Sequence, residues 1–276
     1  MNPDFSHIFT KEEIHAQLER LGAGRDGVVL MHASLRAIGN VVGGAQGLLD
    51  ILVDYFTGDG GLFCVPTHTW HNLGKDITLD MASDESCLGA FASVAIQDPR
   101  GIRSENPCHS LVVFGPREKA EAFVENELWV PNPIAPSSCY GKLHQMGGHV
   151  LLVGVAHNRN TFLHTAEEIL GIPNRMGGDP AAVAIRRKDG TIIRRQMELF
   201  FTDYTDDISY RFPKYETAFR YHRCITDGFL GNAPTQLCDA RAMTDTLALL
   251  YRNSGGLDPL RDEEPIPQAW YCGRTL

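Results

Sequence analysis

The sequence predicts an α/β protein with a mixed sheet, flanking helices and an additional antiparallel β excursion. Four short runs rich in valine and leucine, each bounded by Gly, Pro or Asn, occupy residues 27–34, 61–69, 109–115 and 149–157. Helical patterns alternate with these runs, as in proteins that pack helices on the faces of a sheet. No repeat or low-complexity linker divides the chain, so we expect one domain over residues 1–276.

The helical segments carry their own start and stop signals. Thr10 and Glu13 form a capping box at the start of one segment, and Gly22 ends it. Asn160 is placed to cap another segment, which carries an apolar face through residue 170. Similar patterns indicate helices at residues 45–58, 115–128, 137–148 and 239–253.

Beyond residue 180 the pattern changes from buried strands to an antiparallel excursion. Residues 181–204 alternate arginine with apolar residues, which predicts a hairpin with one solvated face. Asp189-Gly190 lies within this segment and predicts a type I′ turn. The segment 258–270 is acidic and rich in proline, so we expect a loop or a surface extension there.

The chain has a formal net charge of −9, which bears on its partners. Nucleic acid is not an expected partner, because binding phosphates requires a basic surface. An acidic cleft would concentrate a cationic small molecule, although solubility alone also explains an acidic composition. Seven scattered cysteines without a CxxC pair indicate reduced thiols, and no apolar run is long enough to span a bilayer, so we expect a cytoplasmic protein.

His164 and Glu167 stand three residues apart within the segment 160–171. Positions i and i+3 lie on one side of a helix, so we expect the imidazole and the carboxylate to be neighbours. A carboxylate beside a histidine fixes its tautomer and favours the charged ring, which suits a general base. The alternative interpretation is a helix start with one solvated polar pair.

A glycine-rich loop in residues 32–47 leads from a strand into a helix. Backbone N–H groups in such a loop can bind an anion, and Ser34 and Arg36 could add a hydroxyl and a charge. The glycines are equally consistent with a tight turn. The segment matches neither a P-loop nor a GxGxxG motif, which excludes those two nucleotide-binding interpretations.

A second strand end, residues 66–72, carries two histidines. His68 and His71 have the separation of a ligand pair, but no nearby carboxylate or cysteine completes a metal site. We therefore expect Thr67, His68 and Trp70 to shape a pocket and expect no metal.

A third candidate is His109, at the boundary between a loop and a strand, with Ser104 and Ser110 nearby. Cys108 precedes it, which raises the hypothesis of a thiol nucleophile activated by a histidine. Adjacent residues of an extended strand point to opposite faces, so this pair is not expected to form a dyad. We exclude Cys108 as the nucleophile.

Five sequence blocks occur in an order that is more specific than any one motif. They are LMHASLRAIGNVVGGAQGLLDIL, GGLFCVPTHTW, RSENPCHSLVVFG, SSCYGKL and VLLVGVAHNRNTFLHTAEE. Over residues 8–215 they resemble the antibiotic (aminoglycoside) 3-N-acetyltransferase family. The resemblance implies the antibiotic N-acetyltransferase-like fold, which is not the GCN5-type fold, and an enzyme that uses acetyl-coenzyme A without a metal.

The resemblance also implies roles for individual residues. His164 becomes the base of a direct acetyl transfer, and Glu167 either orients it or contacts the substrate ammonium. The implied acceptor is a cationic amine, an aminoglycoside first, and a homodimer is compatible with the family. The catalytic candidates are His164, Glu167, His109 and Asp203. The candidates for lining the coenzyme A channel are Ser34, Leu35, Arg36, Val42, Gly43, Gly44, Thr67, His68, Thr69, Ser104, His109 and Ser110.

The sequence departs from the family pattern at two points. Asn106 stands where many members have a histidine, so any role of that histidine is lost while His109 is kept. The acidic stretch with Asp203 corresponds only loosely to the family's acidic segment, and the resemblance does not place residues 216–276. Two other functions stay open: an acyltransferase for another small amine, such as an aminophosphonate or a biosynthetic intermediate, and a non-catalytic ligand-binding relative. The retained His164, Glu167 and His109 argue against the latter.

Overall fold

The computed structural model describes residues 6–83, 86–274 and 276. Its strands are β1 (Ile8–Phe9), β2 (Val28–Ala33), β3 (Asn40–Val41), β4 (Leu62–Pro66), β5 (Leu79–Asp80), β6 (Ile102–Arg103), β7 (Leu111–Phe114), β8 (His149–Val153), β9 (Ala181–Arg186), β10 (Ile192–Met197), β11 (Ile225–Leu230) and β12 (Ala233–Asp239). Its α-helices are α1 (Lys11–Leu21), α2 (Leu35–Ile38), α3 (Gly44–Thr57), α4 (Ala90–Gln97), α5 (Arg117–Val124), α6 (Cys139–Gln145), α7 (Phe162–Ile169), α8 (Glu216–Tyr221) and α9 (Ala240–Asn253).

A seven-stranded mixed sheet is at the centre of the fold, with the strand order β11-β12-β8-β2-β4-β7-β6. The three middle strands β8, β2 and β4 run parallel, and the strands on either side pair antiparallel. The four predicted apolar runs form β2, β4, β7 and β8. The predicted mixed sheet with flanking helices is therefore present.

Strand β2 shows why the central runs are continuously apolar. Val28 and Leu30 join the hydrophobic cluster on one face of the sheet, which includes residues of α6, α7 and α9. Val29 and Met31 join the cluster on the other face, which includes residues of α1 and α3. Side chains alternate between the two faces of a strand, so a strand covered by helices on both faces must be apolar throughout.

The helix signals are right for α1 and wrong in one detail for α7. The Thr10 N–H donates to Glu13 Oε2 at 2.8 Å, the Glu13 N–H donates back to Thr10 Oγ1, and Gly22 ends the helix with a φ of 76°. Asn160 does not cap α7. Its amide instead contacts His157 Nδ1 at 3.2 Å, and the helix begins after Thr161 without a side-chain cap.

The predicted hairpin is formed by β9 and β10, which join β5 in a separate three-stranded sheet. The type I′ turn is wrong. Gly190 has a φ of 86° and donates to the Arg187 carbonyl, while Arg187 N–H donates to the Thr191 carbonyl. This is a type I turn closed by one left-handed glycine, because Asp189 does not adopt the positive φ that type I′ also requires.

The C-terminal part of the chain belongs to the sheet and the core. Strand β12 pairs with β8, β11 forms the outer edge, and α9 packs against α7. The expectation of a surface loop over residues 258–270 is only partly right. Asp258 and Leu260 are buried, and Asp258 contacts Arg175 far away in the sequence.

Two expectations from composition concern the redox state of the cysteines and the length of the apolar segments. All seven cysteines are free thiols, and five of them are buried. Within the ranges that the structure describes, the helices are too short or too polar to traverse a lipid bilayer.

Candidate active site

A cavity of about 480 Å³ opens beyond the carboxyl ends of the parallel strands β2, β4 and β8. Open α/β sheets bind ligands at this edge. The segment after β10, residues 199–202, and the turn at 207–209 complete the wall. The polar and charged lining used below consists of His32, His68, His109, His164, Arg159 and Asp207.

A second cavity, of about 420 Å³, adjoins the first. It lies between the ends of β2 and β4 and the start of α4, where Gly89, Phe91 and Ala92 line it. The two cavities share His32, Leu88 and Arg159. Two ligands could therefore meet at this shared wall.

His164 lies on α7 and lines the main cavity. Its ring packs edge-on against Phe200 and Phe212, with centroids 4.3 and 4.8 Å apart, and its Nδ1 has no hydrogen-bond partner within the described part of the chain. Burial lowers its pKa to about 3, and His109 and Arg175 add to this effect. The ring is consequently neutral at physiological pH, and the same burial that keeps it neutral disfavours its protonated form.

Glu167 does not orient His164, contrary to the expectation from their spacing. Its carboxylate is fully buried and accepts hydrogen bonds from Arg175 at 2.6 and 2.9 Å and from the Tyr215 hydroxyl at 2.8 Å. Arg175 in turn donates two hydrogen bonds to Asp258. Because Arg175 and Tyr215 engage both of its oxygens, Glu167 anchors the helix and contributes no carboxylate to the cavity lining.

His68 and His109 lie side by side in the cavity wall, with ring centroids 4.5 Å apart. His68 Nε2 lies 2.7 Å from the hydroxyl of Tyr140, whereas Nδ1 of His109 has no partner among the described atoms. Burial lowers the pKa of His68 well below its ordinary value and that of His109 to about 4. The structure thus brings His109, His68 and His164 together in the lining of one cavity.

Asn106, the departure from the family pattern, holds two walls of the cavity together. Its amide nitrogen donates to Glu127 Oε2 and to the Pro133 carbonyl, while its oxygen accepts from the N–H groups of Cys108 and His109. An amide can donate and accept at once, so asparagine satisfies four bonds in a buried position. No sequence pattern pointed to Glu127, whose pKa burial raises to about 7.

Four of the predicted coenzyme-binding residues are corrected by the structure, because their hydroxyls are buried and bonded to the loops themselves. Thr67 bonds Ser110, Thr69 donates to the Pro107 carbonyl, and Ser104 accepts from the Leu111 N–H. Each is exposed by 1% or less, which leaves no surface for a ligand. These side chains shape the cavity from behind.

The glycine-rich segment runs from the end of β2 to the start of α3. His32 and Ala33 contribute to the cavity linings, whereas residues 34–47 lie outside both of them. Ser34 caps α2 through the Ala37 N–H, and Arg36 is exposed. Gly43 and Gly44 have φ values of 76° and 64°, which explains why glycine occupies them. Leu35 and Val42 also lie outside the lining, so coenzyme contact by this loop stays a prediction.

Asp203 is also corrected by the structure. It is exposed and lies outside the cavity lining, where its N–H donates to Asn174. Asp207 is the carboxylate of this acidic stretch that lines the cavity. Sequence reasoning also missed His32 and Arg159, although both stand at or just after the end of a predicted strand, where ligands bind.

Of the two histidines considered as a metal pair, His68 lines the main cavity and His71 does not. In residues 6–83, 86–274 and 276, no group of three or more His, Cys, Asp or Glu side chains is arranged to hold a metal ion. The burial of His68 against Tyr140 accounts for its position.

Two adjoining cavities at the strand ends of an α/β sheet, with a neutral histidine in the wall of one of them, offer room for two ligands side by side, as an enzyme of the transferase class requires. The chain belongs to the aminoglycoside 3-N-acetyltransferase family, whose model matches residues 30–251. The match extends beyond residue 215 and takes in β11, β12 and most of α9. Membership makes the protein an acyltransferase by class and confirms the antibiotic N-acetyltransferase fold.

Individual relatives agree with this assignment. The chain is 29% identical over 269 residues to aminoglycoside N(3)-acetyltransferase IV of Salmonella, covering 93% of this chain and 96% of the relative. It is similar to the crystal structure of a histidine-to-alanine variant of aminoglycoside acetyltransferase AAC(3)-IVa in complex with apramycin, with a TM-score of 0.73, 26% identity and coverage of 98% and 99%. The fold of AAC-IIIb, solved as a binary complex with CoASH, matches with a TM-score of 0.73 at 24% identity, covering 88% of this chain and 96% of that one.

Proposed function

We propose that the protein transfers the acetyl group of acetyl-coenzyme A to an amino group of an aminoglycoside, at the 3-N position that the family name specifies. The observation that carries the proposal is the shared wall of the two cavities, beside which His164 stands neutral and unpartnered on Nδ1 among the described residues. A direct transfer requires both substrates to be bound together, and this wall is where they would meet.

The second cavity is the proposed channel for the coenzyme. The buried Nε2 of His32 has no partner within the described residues, and Arg159 adds a positive charge that can donate hydrogen bonds to the coenzyme where the two cavities meet. Apolar side chains of Val65, Phe91 and Ala92 line the rest, as suits an extended pantetheine chain. This proposed coenzyme channel does not depend on the buried hydroxyls of the strand-end loops.

His164 is the proposed base. The acceptor ammonium must lose a proton before its nitrogen can attack the thioester carbonyl, and a neutral imidazole can take that proton. The new amide bond forms as the carbon–sulfur bond breaks, and the second proton that the nitrogen loses passes to the departing thiolate, so that the coenzyme leaves as its thiol. Phe200 and Phe212 hold the ring, while the Glu167–Arg175 pair holds the helix that carries it.

Asp207 is the proposed contact for the acceptor ammonium. Its carboxylate lines the main cavity and already accepts the Ser209 N–H at 2.9 Å, which fixes its direction. Glu167 cannot serve this purpose because its carboxylate is buried and fully paired. His109, paired in the wall with His68, is the proposed second polar contact near the reacting atoms.

A thiol-release assay with acetyl-coenzyme A, run against a panel of aminoglycosides and small amines, tests the function. Release that depends on an aminoglycoside supports the proposal. Release only with another small amine would support the alternative acceptor, and no release by protein that binds coenzyme A would support a non-catalytic relative.

The proposal extends to the setting of the enzyme. We place it in the cytoplasm, acting as one domain over residues 1–276, with no nucleic acid partner, and a homodimer as its assembly. The net charge of −9 supports the absence of nucleic acid. Sedimentation of the full chain at several concentrations tests the dimer.

A further inference from the structure

Four large apolar side chains are exposed around one opening, that of the main cavity. Trp70, Leu73, Leu88 and Phe201 line this cavity and are 36–50% exposed, and we call them the apolar rim. Single exposed apolar residues are ordinary on a protein surface, but a cluster that borders a cleft marks a binding surface. We therefore expect a ligand with an apolar surface to bind against the rim.

The backbone holds Trp70 in place before any ligand arrives. The preceding Thr69 N–H donates to the Cys108 carbonyl at 2.9 Å, and the Leu73 N–H donates to the Trp70 carbonyl at 3.0 Å. The Thr69 hydroxyl is also bound, to the Pro107 carbonyl. A side chain displayed on so constrained a turn can bind a ligand with little loss of conformational freedom.

We propose that the apolar rim covers the C–H face of the acceptor ring, with Trp70 as a specificity-determining residue. The acceptor class is then an amine on a ring that has a face poor in hydroxyl groups. This inference rests on the proposed function, because it assigns the main cavity to the acceptor.

The charges in the cavity agree with such an acceptor. Asp207 lines the same cavity as the rim, so one ligand can present its ammonium to the carboxylate and its C–H face to Trp70 and Phe201. C–H groups beside an ammonium carry partial positive charge, which the negative face of an aromatic ring attracts. A ring with hydroxyl groups on that face would have to strip water from them without gaining hydrogen bonds.

The test compares two acceptors with the same number of amino groups, one with a deoxygenated ring face and one fully hydroxylated. In Trp70→Ala we expect kcat/KM for the deoxygenated acceptor to fall about tenfold, mainly through KM, and that for the hydroxylated one to change less than about twofold. Trp70→Phe should restore most of the preference. Trp129→Ala is the matched control, because Trp129 is exposed but lies outside the main cavity.

Equal losses for both acceptors, or no loss, would overturn the inference while leaving the proposed function intact. If the wild type acetylates neither acceptor, the binding of the deoxygenated amine is measured directly by tryptophan fluorescence. Quenching by the deoxygenated amine in the wild type, absent in Trp70→Phe, supports the rim even though the proposed function has failed, and no quenching overturns both. A change of oligomeric state in Trp70→Ala would instead identify the rim as a protein contact and overturn the inference.

Discussion

Glu167 and Arg175 form a buried ion pair with two hydrogen bonds, of 2.6 and 2.9 Å, and Glu167 stands one helical turn from His164. Arg175 also donates two hydrogen bonds to Asp258, and the Tyr204 hydroxyl donates to that second carboxylate at 2.5 Å. One guanidinium thus joins α7 to the C-terminal segment and to the segment that follows the hairpin. The position of the candidate base depends on this junction.

Loss of Arg175 should be costly for stability. Arg175→Ala leaves two buried carboxylates without their cation, and we expect the free energy of unfolding to fall by about 3–5 kcal/mol. Urea unfolding followed by circular dichroism measures this change. Arg194→Ala is the control, since Arg194 pairs with Asp76 in solvent and should contribute less than about 1 kcal/mol. Similar losses in the two variants would contradict the assigned role of the junction.

Replacement of His164 should affect catalysis and leave coenzyme binding unchanged. We expect His164→Gln to lower kcat by about 10²–10⁴, the usual contribution of a general base. Calorimetry should give the wild-type affinity for coenzyme A. His7→Ala, a change at an exposed histidine paired with Glu13, serves as the control. If His164→Gln turned over at the wild-type rate between pH 6 and 9, another group would have to be the general base, and His109 would be the first candidate.

Asp207 and Asp203 offer a matched pair within one acidic stretch. Asp207→Asn keeps the hydrogen bond to the Ser209 N–H but removes the charge, so we expect KM for the acceptor to rise about tenfold with kcat little changed. Asp203→Asn should behave as the wild type, because Asp203 is exposed outside the cavity lining. The opposite result would restore the sequence-based choice of Asp203.

Arg159 and Arg36 provide a second pair, for the coenzyme. Arg159 lines both cavities, and we expect Arg159→Ala to weaken coenzyme A binding by about 1–3 kcal/mol in calorimetry. Arg36→Ala tests the glycine-rich loop, from which the sequence predicts a phosphate contact. A larger loss in Arg36→Ala than in Arg159→Ala would place the phosphates at the start of α3.

Glu127 should make stability depend on pH. Burial raises its pKa from 4.5 to about 7 in the folded protein, so the folded state binds a proton more tightly than the unfolded state. This stabilisation is complete below pH 4.5 and is lost as the pH rises through 7, amounting to about 3 kcal/mol. Glu127→Gln should lack this component when unfolding is measured between about pH 4 and 8. Parallel pH profiles for the two proteins would show that Glu127 has the same pKa in the folded and the unfolded protein.

The parts of the fold that sequence reasoning predicted are those that local patterns determine. Thr10 and Glu13 bond each other within one helical turn, and the run at 149–157 carries its own apolar signature. The predicted turn type at Asp189-Gly190 was wrong because the register of β9 and β10 sets the length of the loop, and the dipeptide alone does not. Local sequence does not contain that register.

The candidate site shows the same limit. The sequence identified His164 and His109, but it paired His164 with Glu167 because spacing along a helix cannot reveal a competing partner. Arg175 takes that carboxylate, and Asp258, which fixes Arg175, lies 83 positions further along the chain. The sequence also cannot show which side chains are buried. Thr67 is a polar residue at a strand end, and the same sequence would result whether its hydroxyl pointed into the cavity or, as it does, toward the loop behind it.

The wall that the two cavities share, made of His32, Leu88 and Arg159, also bears on the kinetic order of the reaction. The proposed direct transfer requires a ternary complex across this wall, so we expect initial-rate plots to intersect and not to run parallel as they do when an acylated enzyme accumulates. One molecule that tethers a coenzyme thioether to an amine would fill both compartments at once. The second half would then bind at a high effective concentration, and such a bisubstrate ligand should exceed the affinity of either half by about 10²–10⁴.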